Sequence, residues 1–516
     1  MEIQKKVSKA AGVVGSMTLL SRVFGFLRDL VIAMMFGSSA AADAFFVAFR
    51  IPNVQRRLLG EGAVTAAFVP VFSEDLKGDR PKKAWEFTSQ LFTILFYSLV
   101  VISGLIMIFA PQVIAILAPG FKENSEKFQL TIELTRWMAP FLICIGLSAL
   151  CMGILNACNI FALPAAAPVM LNLCMIAAAL LISPKMERPI FGLAIGVLIG
   201  GAMQLAFQLP AAIRKGLHFT LSIDWKHSGI VKFSKLMIPA IFGLAVYEIN
   251  ILVDTILASL LPGGSVSYLY YGNRLVQLPL GVFGVAMGVA ILPTLSEQAA
   301  KQNISELRKT LAFGIRLILF VTVPATLGLI ILRIPIINVL WERGEFTALS
   351  TEGTAIALLY YSIGLCAFSG VKVLAAGYYS LQDTKTPMKV GVYAMFLNIV
   401  LNLILMGPLQ HGGLALATSL SAIFNYFALI YLLRNRLGLM GGRKILQSAF
   451  KLVYAAIPMG IIVYFLNEFL YDPRAALGYS LTVLLACVIS GVVSFIVISH
   501  WLKNEEWVFL KKLRRN

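Results

Sequence analysis

Long apolar stretches alternate along the chain with short charged connections. A helix of about 20 apolar residues crosses the hydrocarbon core of a bilayer, and on that measure the pattern predicts fourteen spans. The first six run over roughly 8–36, 40–72, 84–118, 131–157, 164–183 and 190–213. A second six run over roughly 234–261, 265–296, 309–341, 352–381, 388–406 and 412–433, and two more close the chain at roughly 446–468 and 477–502. Met1–Lys9 followed by Ala10–Leu20 has the outline of a signal peptide, but no small-x-small cleavage site follows, so the segment reads as a retained first helix.

The pattern also repeats, at an offset near 223 residues. Ala67-Phe68-Val69-Pro70-Val71-Phe72-Ser73-Glu74 returns as Ala290-Ile291-Leu292-Pro293-Thr294-Leu295-Ser296-Glu297. Pro111 and Gly120 fall opposite Pro335 and Gly344, and Gly153 and Pro164 opposite Gly377 and Pro387. Six helices per copy is an even number, so both copies enter the membrane in one direction, the arrangement of parallel transporter repeats. The expected organisation is a first lobe over 1–215, a second over 216–436, and a terminal helix pair with a basic tail over 437–516.

Composition narrows the class. Hydrophobic residues make up 59% and charged residues 13% of the 516, with a mean hydropathy of +0.84. So few charges cannot cover a water-soluble fold of this size, which leaves an all-α polytopic membrane protein. The net charge of +18 is distributed unevenly. With the N-terminus in the cytoplasm, about 26 Lys and Arg fall in cytoplasmic segments against about six outside (Lys122, Lys127, Lys185, Arg188, Arg343, Arg474). Both termini are then cytoplasmic. The Lys511-Lys512-Leu513-Arg514-Arg515 tail suits the anionic inner leaflet of membrane lipids; with no soluble domain beside it, nucleic acid is not an expected partner. The six cysteines show no metal or redox spacing, and no phosphate-binding G-x-x-x-x-G-K-[ST] loop occurs.

Part of the positive charge lies where lipid should be. Arg22, Arg28 and Asp29 fall in the first predicted helix, Asp43, Arg50, Asn53, Arg56, Arg57 and Glu61 in the second, and Arg274 in the eighth. A charge at mid-membrane costs a few kcal/mol or more, so such residues face a cavity and serve a function. Arg57 and Glu61 stand four apart and form a candidate intrahelical pair. The set still holds more arginines than acids. A positive intramembrane cavity calls for an anion, and the guanidinium fork suits phosphate. The same helices are punctuated by Gly25, Pro52, Gly60, Gly62, Gly272, Pro279, Gly281, Gly284 and Gly288, as alternating access about broken helices requires. The second copy differs. Glu248, Asp254, Asn398, Asn402 and Thr418 offer oxygen ligands for a small cation such as Na⁺, or alternatively hydrogen bonds between helices.

Ser21-Arg22-Val23-Phe24-Gly25-Phe26-Leu27-Arg28-Asp29 resembles the opening motif of the lipid II flippase (MurJ, or MviN) family. Asp43-Ala44-Phe45-Phe46-Val47-Ala48-Phe49-Arg50-Ile51-Pro52-Asn53, Thr65–Phe72, Tyr270-Tyr271-Gly272-Asn273-Arg274-Leu275 and Gln382-Asp383-Thr384-Lys385-Thr386-Pro387 resemble it too. The resemblance implies the multidrug/oligosaccharidyl-lipid/polysaccharide exporter fold of two six-helix lobes plus two terminal helices. It implies a non-enzymatic transporter of the bacterial inner membrane, moving lipid II from the cytoplasmic to the periplasmic leaflet, with cell-wall synthesis or division proteins as further partners. The family's functional arginines fall on Arg22, Arg28, Arg56 and Arg274, with Asp29, Asp43 and Glu61 beside them. A sodium site is implied at Asp254, Asn398, Asn402 and Thr418, where family members carry an aspartate in place of Asn402. Acids in some members also stand where this chain has Asn273 and Gln277. A flippase for another polyprenyl-diphosphate oligosaccharide is the nearest alternative. A cation-driven multidrug antiporter is more distant, because it would place acids rather than arginines in the first lobe.

Overall fold

The structure, a computed structural model, describes residues 2–58, 64–77, 81–220 and 224–513. Glu61 lies outside the described residues. All regular structure among them is helical. The first unit comprises α1 (Glu2–Phe36), α2 (Ala40–Gln55), α3 (Val64–Lys77), α4 (Pro81–Ile108), α5 (Ala110–Leu117), α6 (Ser125–Met138), α7 (Phe141–Ala157), α8 (Ala162–Leu181), α9 (Ile190–Lys215) and α10 (Ser228–Ser259). The second comprises α11 (Ser265–Pro279), α12 (Ala286–Ala300), α13 (Ile304–Ile331), α14 (Arg333–Trp341), α15 (Ala348–Ile363), α16 (Leu365–Ser380), α17 (Lys385–Leu437), α18 (Gly442–Leu470), α19 (Leu477–Trp501) and α20 (Glu505–Leu513).

Local chemistry sets many of the boundaries. The Ser39 hydroxyl accepts the Ala42 N–H at 3.3 Å, and Asp43 sits in the first turn of α2, where the helix dipole favours an acid. Asn124 and Asn303 cap α6 and α13 in the same way. Pro140 divides α6 from α7 with a bend of 40°. A turn of π-helix, Leu280–Val285, follows Pro279 and joins α11 to α12.

Among the described residues, eight helices are long and apolar enough to cross a membrane, or ten if each bent pair, α6 with α7 and α15 with α16, is one span. The fourteen predicted spans are therefore not all matched. One of the ten, α17, covers two predicted spans, with a break at Gln410 (φ 50°). The predicted spans at 8–36, 40–72 and 234–261 are helical as α1, α2 with α3, and α10.

The two copies show the same internal packing. In the first unit α7 lies against α3 and α4; in the second, α16 lies against α12 and α13. Pro70 and Pro293, matched by the repeat, each sit inside a helix, α3 and α12. One difference from the expected organisation concerns α10. The compact units divide between Gly263 and Gly264, not at 215/216. The reason is apolar: Ile230 and Phe233 of α10 join the core around Phe68, Phe72 and Phe87, with the Phe87 and Phe233 rings 6.5 Å apart. Burial of such aromatic surface contributes on the order of 2 kcal/mol per side chain. The terminal pair α18 and α19 likewise shares one core with α13 and α14, through Phe320, Leu452, Met459, Cys487 and Phe495.

Candidate functional site: a cavity and buried charge in the first unit

A cavity of about 810 Å³ opens between α1, the end of α2, α3, α7 and α8. Val14, Val69, Pro70, Met152, Phe161, Pro164 and Pro168 give it an apolar wall. Thr18, Ser21, Thr65 and Asn156 add hydroxyl and amide groups, and Arg56 is the charged residue of its lining. The Arg56 Nε donates to Asn53 Oδ1 at 3.2 Å, one turn back, which fixes the direction of the guanidinium. Such a lining can hold an anionic group at the edge of apolar matter.

Behind the wall lies Arg28. It is 9% exposed, and Asp29 is fully buried. Arg28 Nε and Nη2 both donate to Asp29 Oδ1, at 3.0 and 2.7 Å, and Nη1 donates to Asn172 Oδ1 of α8 at 3.1 Å. The Asn172 amide in turn donates to the Ser21 carbonyl at 3.3 Å, so the buried pair connects to a residue of the cavity wall. Arg22, on the same helix, is exposed. Arg22 and Asp29, seven residues or about two turns apart, share a face of α1 that has an exposed end and a buried end.

Two further ion pairs engage charges of this set with partners outside it. Lys127 of α6 donates to Asp43 Oδ2 at 2.8 Å, with both side chains buried, and its Nζ lies 3.9 Å from the centre of the Phe121 ring. Arg57 Nη1 meets Glu248 Oε1 of α10 at 3.2 Å. Sequence reasoning placed Lys127 in an outer loop and Glu248 in the second copy. The 84 and 191 residues separating the partners hide both pairings from local patterns. Asn172, an amide inside an apolar run, carried a readable signal by the rule that polar residues in a span have work to do.

Arg50 is half-buried on α2, and Arg274, half-buried on α11, belongs to the second unit. Of the expected cation ligands, three come together on the two arms of α17. The Asn402 amide donates to Asn398 Oδ1 at 2.9 Å, and the Asn398 amide reaches Thr418 Oγ1 at 3.4 Å. Both asparagines are buried. This is a neutral oxygen set of the kind a hard cation accepts. Asp254 stands on α10, in the first unit. No cluster of three or more His, Cys, Asp or Glu suited to a metal occurs among the described residues.

The fold is that of the multidrug/oligosaccharidyl-lipid/polysaccharide (MOP) exporters. A MATE family transporter of the MOP superfamily, solved inward-facing, aligns with a TM-score of 0.64 at 16% identity over 83% of this chain and 98% of its own. A solved lipid II flippase MurJ in an inward-closed conformation aligns with a TM-score of 0.83 at 26% identity, over 95% of this chain and 99% of its own. The chain belongs to the family described as Lipid II flippase MurJ, whose sequence profile matches residues 32–484. It is similar to a probable lipid II flippase MurJ of Vibrio cholerae, 42% identical over 436 residues, 83% of each chain. It is also similar to a lipid II flippase MurJ of Burkholderia cenocepacia, 35% identical over 429 residues, 82% of this chain and 83% of that one.

Proposed function

We propose that this multi-pass protein carries lipid II, the undecaprenyl-diphosphate-linked muropeptide, from the cytoplasmic to the periplasmic leaflet of the bacterial inner membrane, with both its termini in the cytoplasm. Membership of the lipid II flippase family supports the substrate. The observation that carries the mechanism is the Arg56 cavity with the Arg28–Asp29–Asn172 cluster behind it. Transferring a diphosphate through a bilayer requires replacing its water with charged and hydrogen-bonding groups. In the first unit Arg56 and Arg22 provide such groups, in the second Arg274 does, and Arg28, held by Asp29, keeps α1 and α8 in the geometry the headgroup meets. No bond is made or broken. Alternating access moves the bound headgroup to the outer side, and each positive charge that crosses with it couples to the membrane potential by about 2.3 kcal/mol per 100 mV.

The same reading assigns Na⁺ to Asn398, Asn402 and Thr418, with Asp254 as the expected carboxylate. A cation there shifts the conformational equilibrium only by its differential affinity for the two states. The experiment that tests the main reading is replacement of the native flippase gene of a walled bacterium by this one. Growth of the wild type and lysis with Arg56→Ala, at equal membrane abundance, is the expected result. Growth with Arg56→Ala, Arg22→Ala and Arg274→Ala alike would overturn the anion-binding reading.

A further inference from the structure

Outside the site described above, one intramembrane charge has no role. Lys372 lies in the middle of α16, the second half of a span bent by 43°. It is exposed, and among the described residues it makes neither a hydrogen bond nor an ion pair. Eight residues separate it from Ser380, so it sits about 12 Å along the helix from that end. The rest of α16 is committed to packing: Leu365, Ser369, Val373, Leu374 and Gly377 are buried against α12, α13 and α17.

The backbones of α12 and α16 approach closely at this point. A Cβ added to Gly288 of α12 would lie 3.0 Å from the Lys372 carbonyl oxygen and 3.5 Å from the Lys372 side chain. The lysine therefore emerges along the seam between these two helices. An unpaired ammonium facing lipid tails costs a few kcal/mol, so membrane charges of this kind face water. The Lys372 ammonium therefore calls for water or an anion beside it in the second unit. The α12 helix continues through the π turn into α11, which carries Arg274 fourteen residues before Gly288, about 21 Å along the axis. One span thus has two cations beside it, at two depths.

We propose that Lys372 is a substrate-binding residue that receives the diphosphate of the lipid-linked substrate on the cytoplasmic half of its path, before the arginines hold it. The proposal rests on the lipid II reading above. The residue types fit the order. Arginine gives a rigid bidentate fork suited to holding phosphate, whereas lysine is a mobile point charge suited to a transient contact.

Two measurements test it. In the full chain with its six cysteines changed to serine, Lys372→Cys in inside-out vesicles should react with a water-soluble, membrane-impermeant thiol reagent, and added lipid II should slow that reaction several-fold. In detergent, Lys372→Met should bind lipid II about ten-fold or more weakly, as expected for loss of one charge-assisted contact, while Lys372→Arg should bind close to wild type. The Met variant removes a charge from the membrane interior, so a folding defect is not expected of it, and equal monodispersity with wild type checks this. Labelling only by lipid-soluble reagents would overturn the proposal. So would unchanged lipid II binding by Lys372→Met alongside lost binding by Arg56→Ala, and in that case the lipid II reading stands. Unchanged binding by both variants would overturn the anion-binding reading itself.

Discussion

The Arg28–Asp29–Asn172 cluster allows architecture and transport to be separated by a double substitution. Asp29 is fully buried and Arg28 nearly so, and three hydrogen bonds of 2.7–3.1 Å hold the guanidinium. Arg28→Ala leaves a carboxylate buried without this partner, and Asn172 without its donor. Removing one member of a buried pair costs roughly 3–5 kcal/mol, most of it from the uncompensated charge left behind. Removing both members, as in Arg28→Met with Asp29→Asn, leaves no stranded charge and should recover about 2 kcal/mol or more of that loss. Arg28→Lys should fall between, because an ammonium cannot donate to Asp29 twice and to Asn172 at once. Unfolding in mixed micelles with graded SDS reads the stabilities, and complementation of a flippase-depleted strain reads transport. The expected pattern is a strongly destabilised single variant, a largely recovered double variant, and no growth with either. If the double variant is as unstable as Arg28→Ala, the pair is not coupled as its geometry implies. If the recovered double variant supports growth, the pair is not needed to position α1 and α8 for the headgroup.

Three other outcomes are expected. The Thr386 N–H, with the Thr386 hydroxyl and the Arg436 guanidinium, holds the Asp383 carboxyl below the usual aspartate range; its stabilisation is full above the ordinary value of about 3.9 and is lost as pH falls through the lower folded value, so the thermal-stability gap between wild type and Asp383→Asn should narrow below about pH 4. A cysteine near Gly263 should react with an impermeant reagent from outside, and one near Gly441 only after permeabilisation; the reverse would invert the assigned orientation. Asn402→Asp should strengthen the response of conformational reporters to Na⁺, since a carboxylate binds a hard cation better than an amide, whereas Asp254→Ala should abolish that response; reporters indifferent to both changes would leave Asn398, Asn402 and Thr418 as hydrogen-bonded packing between helices.

How much of this was legible in the sequence depended on range. The all-helical membrane class follows from local apolar runs, and the helices reproduce it because lipid allows the backbone few other solutions; the fourteen spans are matched only in part. Of the arginines the sequence singled out, Arg56 is in the lining of the cavity, beside residues of α7 and α8 that the motif does not contain. The partners of the charges were not legible. Arg57 pairs with Glu248, 191 residues on, while its neighbour in sequence, Glu61, lies outside the described residues. Asp43 looked like a cavity acid, but its carboxylate is occupied by Lys127. Both follow from tertiary packing: α2 lies against α6 and α10, a fact no periodicity contains. Lys372 stands in an apolar run and meets the same rule that picked out Arg274.

The broken helices need a different account from the one their glycines and prolines invite. A break inside a membrane exposes carbonyls that lipid cannot satisfy, and at the bend between α15 and α16 a side chain supplies the missing partner. At the α17 break, His411 Nε2 lies 2.8 Å from the Gly353 carbonyl of α15, and the imidazole is tilted against the Tyr268 ring at 5.1 Å. Just before the bend at Gly364, the Ser419 hydroxyl is 2.7 Å from the Tyr360 carbonyl and 3.3 Å from that of Tyr361. These two bends are tied to each other, since α15 supplies the acceptors and α17 the donors in both. A hinge absorbs its motion at few residues with little to break, whereas bending either of these points would strand buried polar groups at roughly 1–3 kcal/mol each. They therefore behave as fixed elbows that shape the second unit and brace the helix carrying Asn398, Asn402 and Thr418. His411→Ala with Ser419→Ala tests this. Fixed elbows predict lower stability with unchanged reporter kinetics for the substrate-driven transition, whereas faster switching in the double variant would make these contacts restraints on a hinge.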